Sequence, residues 1–143
     1  MTKREAVLVA FHAALVAGLA PTEVRRNAIV PQRVPPAGFA ILRDGEAGDP
    51  ESLMSPPSWY FEHRAEIEIV VDGADEAART ASLDALVAQV GAVIATDRTL
   101  SGACDYVQGY APSSADVPVE SGAPLSGATI PVVLVYVSTD PLA

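Results

Sequence analysis

The chain has 143 residues, 50% of them hydrophobic, enough for one domain that buries roughly 70% of the surface its unfolded chain exposes. Eighteen acidic residues against nine basic ones give a net charge of −9, which argues against phosphate-neutralising wrapping of nucleic acid and docking on an anionic membrane. One cysteine, Cys104, and two histidines, His12 and His63, exclude an internal disulfide and a paired-thiolate zinc site.

Thr2 and Glu5 stand at capping-box spacing ahead of an apolar run. Leu8, Phe11, Leu15 and Leu19 then recur at three- and four-residue steps, predicting a first helix that ends near Gly18 and Pro21. A basic start before apolar residues 6–20 has the outline of a signal peptide, but Glu5, His12 and Pro21 favour a folded helix. The segment Thr22 to Pro36 carries Arg25, Arg26 and Arg33 with Pro31, Pro35 and Pro36, and is expected to be an extended connection. Residues 38–43 predict a short strand stopped by the turn pair Asp44-Gly45. From there to Ser58 the chain is acidic and rich in Gly and Pro, with Asp44, Glu46, Asp49 and Glu51. It is expected to be a long irregular loop, the kind of segment that serves binding.

Trp59 to Val71 predicts the clearest strand. Trp59, Phe61, His63, Ala65, Ile67 and Ile69 share one face, while Tyr60, Glu62, Arg64, Glu66 and Glu68 share the other. Asp72-Gly73 ends it, and residues 74–95 predict a second helix with Asp75 and Glu76 in its first turn. Strands are expected at Cys104 to Tyr110 and at Val117 to Val119. A loop follows at Ser121 to Gly127, before a nearly continuous apolar central strand, Thr129 to Val137. This order gives an α+β fold, a mainly antiparallel sheet with two helices packed on one face.

No phosphate-binding glycine loop, dinucleotide signature, zinc-protease helix motif, nucleophile elbow or CxxC pair occurs. The acidic run after Asp44 lacks EF-hand spacing, so a solvated turn is expected rather than a calcium site. Cys104 and His63 would make a thiolate–imidazole pair only if the fold joined them; a lone cysteine is more commonly a small buried hydrophobe. No catalytic residue, cofactor or metal is expected. The candidates are instead interface residues. Arg25, Arg26 and Arg33 supply positive charge, while Asp44, Glu46, Asp49 and Glu51 supply the acids of the loop. Trp59 and Tyr60 lie at the loop's root, and Glu62 and Arg64 belong to a charged strand face. That strand face reads equally as a solvated surface or as a subunit contact, and Trp59 equally as core.

Three segments carry a resemblance: Arg26-Asn-Ala-Ile-Val-Pro31, Gly38-Phe-Ala-Ile-Leu-Arg-Asp-Gly45 and Tyr60-Phe-Glu-His-Arg-Ala-Glu-Ile67. With Ala95 to Leu100, Pro118 to Glu120 and Pro131 to Leu142, they resemble the tail terminator family of alphaproteobacterial siphophages and gene transfer agents. The resemblance implies an α+β subunit in a homohexameric ring at the head-proximal end of a tail tube. It also implies contacts with the tube protein on one side and neck or head–tail connector proteins on the other. Assembly would take place in the host cytoplasm. Relatives are sometimes labelled acyl-CoA transferase, a chemistry for which the residues offer no constellation. Another neck protein, or a small transferase with a defined pocket and a perturbed thiol or carboxylate, is the alternative.

Overall fold

Helix α1, Lys3–Leu19, begins where the Thr2 hydroxyl accepts the Glu5 backbone N–H at 3.1 Å. Its buried stripe is Val7, Leu8, Phe11, Leu15 and Leu19, spaced to fall on one side of a 3.6-residue helix. The computed structural model describes residues 1–117 and 125–142. Those residues form two helices and one seven-stranded sheet: β1 Glu23–Arg26, β2 Phe39–Glu46, β3 Glu51–Met54, β4 Pro57–Val71, β5 Tyr106–Gly109, β6 Ser113–Val117 and β7 Leu125–Ser138. Helix α2, Glu76–Thr96, lies between β4 and β5, and its N-terminus is capped by the Asp75 carboxylate accepting Ala78 N–H at 2.8 Å.

The expected α+β architecture is what forms. The sheet runs β1-β2-β4-β7-β5, with β3 pairing β4 and β6 pairing β7. Among the described residues, only the β1–β2 pair is parallel. Strands β4 and β7 pair from Trp59↔Ser138 to Val71↔Ser126 and form the spine. Cross-strand partners share a face, so the odd residues of β4 and the even residues of β7 point together. Those side chains (Phe61, Ala65, Ile67 and Ile69 with Ile130, Val132, Leu134 and Tyr136) form one core with the helices. The helices cross so closely that a Cβ at Gly18 would overlap the Val93 side chain.

Five expectations needed correction. The 22–36 connection contains β1, because Val24 is buried and its carbonyl meets His12 Nε2 at 3.2 Å, which draws the segment under α1. Asp44-Gly45 does not stop β2. The strand runs on to Glu46 through a register shift between Arg43 and Glu46, where Gly45 adopts φ +65°. This is a glycine bulge rather than a turn. A Cβ there would collide with the Arg64 carbonyl, so only glycine lets β2 lie this close to β4.

The 44–58 segment is likewise not an irregular loop. Strand β3 pairs with the start of β4, from Glu51↔Tyr60 to Met54↔Pro57, making a hairpin in which Pro57 takes the permitted first position of a strand. Finally, β5 starts at Tyr106 instead of Cys104. The Asp97 carboxylate accepts backbone N–H groups of Thr99 and Ser101 and holds the preceding residues in turns. Strand β7 begins at Leu125 rather than Thr129. The strand expected at Val117 to Val119 overlaps the end of β6 only at Val117; its other residues, and most of the 121–127 loop, lie outside the described residues.

Candidate interface

The face of the sheet opposite the helices is built from the even residues of β4 and the odd residues of β7. Register places Glu62 beside Val135, Arg64 beside Val133 and Glu66 beside Pro131. Strand β5 adds Tyr106 beside Val135 and Gln108 beside Val133, and β2 adds Arg43 beside Glu66 and Glu46 beside Arg64. These side chains surround a shallow depression of about 730 Å³. Its floor is apolar: Pro131, Val133 and Val135. One rim is the charged strip of β4 and the other is Tyr106 and Tyr110, 41% and 53% exposed. An apolar centre ringed by polar and aromatic groups is the composition of a protein contact.

On the other side of the sheet, where α1 meets β1 and β2, three charges form a clamp. Arg26 reaches Glu5 at 2.8 Å and Asp44 at 2.9 Å, and Asn27 Oδ1 accepts the Asp44 backbone N–H at 3.0 Å. Burial pushes the Asp44 carboxyl up, but the hydrogen bonds from Arg26 and Asn27 outweigh it and hold the group below its ordinary range. The Arg26 hydrogen bond likewise holds Glu5 low.

Beneath the clamp lies His63, fully buried. Its Nε2 faces the Asp44 backbone carbonyl and its Nδ1 faces the Tyr136 hydroxyl at 3.0 Å. A carbonyl only accepts, so Nε2 carries the proton and Nδ1 accepts from the tyrosine. Burial lowers the His63 pKa, against the Asp44 carbonyl that raises it, so the ring is kept neutral.

The sequence-predicted residues therefore separate. Glu46, Tyr60, Glu62 and Arg64 come together on or beside the open face. Trp59 has the opposite parity and packs, half-buried, against the core. Arg26 and Asp44 are bound to each other in one chain, and Arg25 pairs with Glu23 at 2.7 Å while lying over the Phe39 ring. Arg33, Asp49 and Glu51 are exposed: Arg33 between β1 and β2, Asp49 between β2 and β3, Glu51 at the start of β3.

Cys104 and His63 have different partners. The Cys104 thiol lies 3.8 Å from the Arg98 carbonyl, and burial, helped by Asp105, pushes its pKa up to about 11. It is held as a thiol, a poor nucleophile. Among the described residues, no three His, Cys, Asp or Glu side chains gather in a metal-binding group.

Sequence reasoning missed Arg43, Tyr106, Gln108, Val133 and Val135 as members of the depression. The signal was present in β7. A strand apolar at nearly every position, Pro131 to Val137, has apolar residues on both faces, and the helices cover only one. Comparison of the chain with protein-family models and with curated proteins returns no match.

Proposed function

We propose that the protein is a phage-like tail terminator. Six copies form a closed ring on the head-proximal end of a tail tube, halt further tube addition and present the surface to which the neck and head attach. The observation that carries this reading is where the resembling segments meet. Arg26 and Asn27 of the first segment bind Asp44 of the second. Asp44 accepts from His63 of the third, and Gly45 of the second lies against the Arg64 carbonyl. The three motifs are thus one joint that ties α1, β1, β2 and β4 together. Arg26, Asn27, Asp44 and His63 are held by these shared hydrogen bonds.

The rest of the molecule is consistent with a part whose work is contact. A terminator needs two dissimilar surfaces, one complementary to the tube and one that no longer repeats the tube's own interface. Closed cyclic symmetry lets small subunits make such a plug. The test is genetic. Particles assembled without this chain should carry tails of uncontrolled length that lack heads, and supplying the chain should restore both. Normal, headed tails in its absence would overturn the proposal.

A further inference from the structure

The two-layer fold has an outer helical face and an open sheet face on opposite sides, and their chemistries differ. Residues 6–20 of α1 and its end, and 85–96 of α2, contain no Asp, Glu, Lys or Arg, in a chain holding eighteen acids and nine bases. The outward positions there include Val9, Ala13 and Val16 on α1 and Ala85, Ala88 and Ala92 on α2, all exposed, with Gln89 the exposed amide among them. Val9 and Val16 are 41% and 45% exposed. A depression of about 390 Å³ runs between the two helices at Ala17 and Ala92. A helix that faces water ordinarily carries charge on its outer side; one that is apolar all round is covered by something.

We propose that the cover is a second copy of this chain: the helical face of one subunit seats on the open sheet face of the next. The inference rests on the terminator reading for closure of the ring, but not for the contact itself. Three observations select this occupant. Charge is the first. Each copy carries −9, and the open face holds Glu46, Glu62 and Glu66 against Arg43 and Arg64, so a contact that set two such faces together would bring an excess of acid against acid. Over residues 6–20 and 85–96 the helical face brings no charge, its acids Asp84 and Asp97 lying just outside that stretch of α2, and the strip stays at a solvated rim.

Shape is the second. The Val133–Val135 floor is a depression, and small outward side chains let helices enter it closely. Economy of surface is the third. Pairing helical face to helical face would stop at two copies and leave the valine floor bare, whereas face-to-opposite-face contact covers both and repeats. A standard contact takes about 800 Å² from each partner, close to a tenth of the 8008 Å² surface for each face used.

A lipid surface is the competing occupant, since α2 is long and apolar enough to cross a bilayer and only 22% of that stretch is buried. But Leu86, Val90 and Ile94 are fixed in the core, and buried Arg79 donates to Ser126 Oγ at 3.2 Å. The helix is not free to leave the sheet.

The test uses two variants of the full chain: Val16→Lys/Ala88→Lys on the helical face and Val133→Lys/Val135→Lys on the sheet face. Added lysines reduce net charge, so lost association cannot be ascribed to repulsion. Sedimentation is followed against concentration in high salt, with circular dichroism and melting curves to establish folding. The wild type should associate, and each variant alone should do so at least about tenfold more weakly.

An equimolar mixture should give a one-to-one dimer and nothing larger, because each pair retains one intact contact. A wild type that stays monomeric at its solubility limit, or folded variants that remain monomeric when mixed, would overturn the proposal. So would a sheet-face variant that dimerises unaided, which would indicate pairing of helical faces. Flotation of the wild type with phosphatidylcholine vesicles, abolished by the helical-face variant, would assign the face to lipid instead. A sixfold ring joined through other surfaces would refute this contact while leaving the terminator reading intact. Dimers on mixing, without a ring in particles, would do the reverse.

Discussion

Replacing Tyr136 with phenylalanine removes one oxygen from a site with no exposure to water. Tyr136 and His63 are both 0% exposed, and the lost hydroxyl is the donor to His63 Nδ1 at 3.0 Å. The ring that remains keeps its stack on Phe61, with centroids 5.3 Å apart, so little apolar burial is lost. The cost is that of a buried acceptor left without a donor, about 1–3 kcal/mol. An unfolding entropy of about 2.1 cal/mol/K per residue gives roughly 0.3 kcal/mol/K for this chain, so melting should fall by about 3–10 °C. Thermal and urea unfolding at neutral pH measure it. His63→Leu and the double variant complete a cycle, in which the double variant should cost less than the two singles added. A Tyr136→Phe variant melting within about 1 °C of wild type would refute the network as described.

Three further outcomes can be measured, two of them in the same region. Gly45→Ala forces a side chain into left-handed backbone against the Arg64 carbonyl and should destabilise by about 2–4 kcal/mol, read from urea midpoints. Lowering pH should destabilise the protein in two windows. His63 has its folded pKa below the unfolded 6.5, so its contribution is present above that value and lost as pH falls beneath it; His63→Gln should flatten this part of the curve. Glu5 and Asp44 sit below 4.5 and 3.8 and should add a second loss at lower pH, which Arg26→Met should remove. Self-association should strengthen as salt rises, because like-charged subunits are screened; sedimentation at low and high salt tests this.

The helices and the spine of the sheet were legible because their burial is periodic. Phe11 and Leu15, or Ile67 and Ile69, announce a face at the spacing of their element. What escaped was decided by contacts between distant segments. Gly45 reads locally as the end of a hairpin strand, and only the approach of β4 turns it into a bulge. The β3 strand, Glu-Ser-Leu-Met, is exposed throughout and leaves no burial pattern to find. Arg26 and Asp44 were both legible as charged candidates, but their partnership is not, since eighteen residues separate them and β1 carries Arg26 parallel to β2. Half of the open face was visible in the alternation of β4. The other half, Val133 and Val135, was concealed by a strand apolar on both sides.

The proposed function puts six copies of this chain in a ring at the neck of a tail. Reconstruction of intact particles at a resolution that distinguishes side chains tests it most directly. Six copies of this fold are expected in one closed ring, between the last ring of the tail tube and the neck proteins. Density at that level belonging to another fold, or this chain located elsewhere in the particle or absent from it, would refute the proposed function.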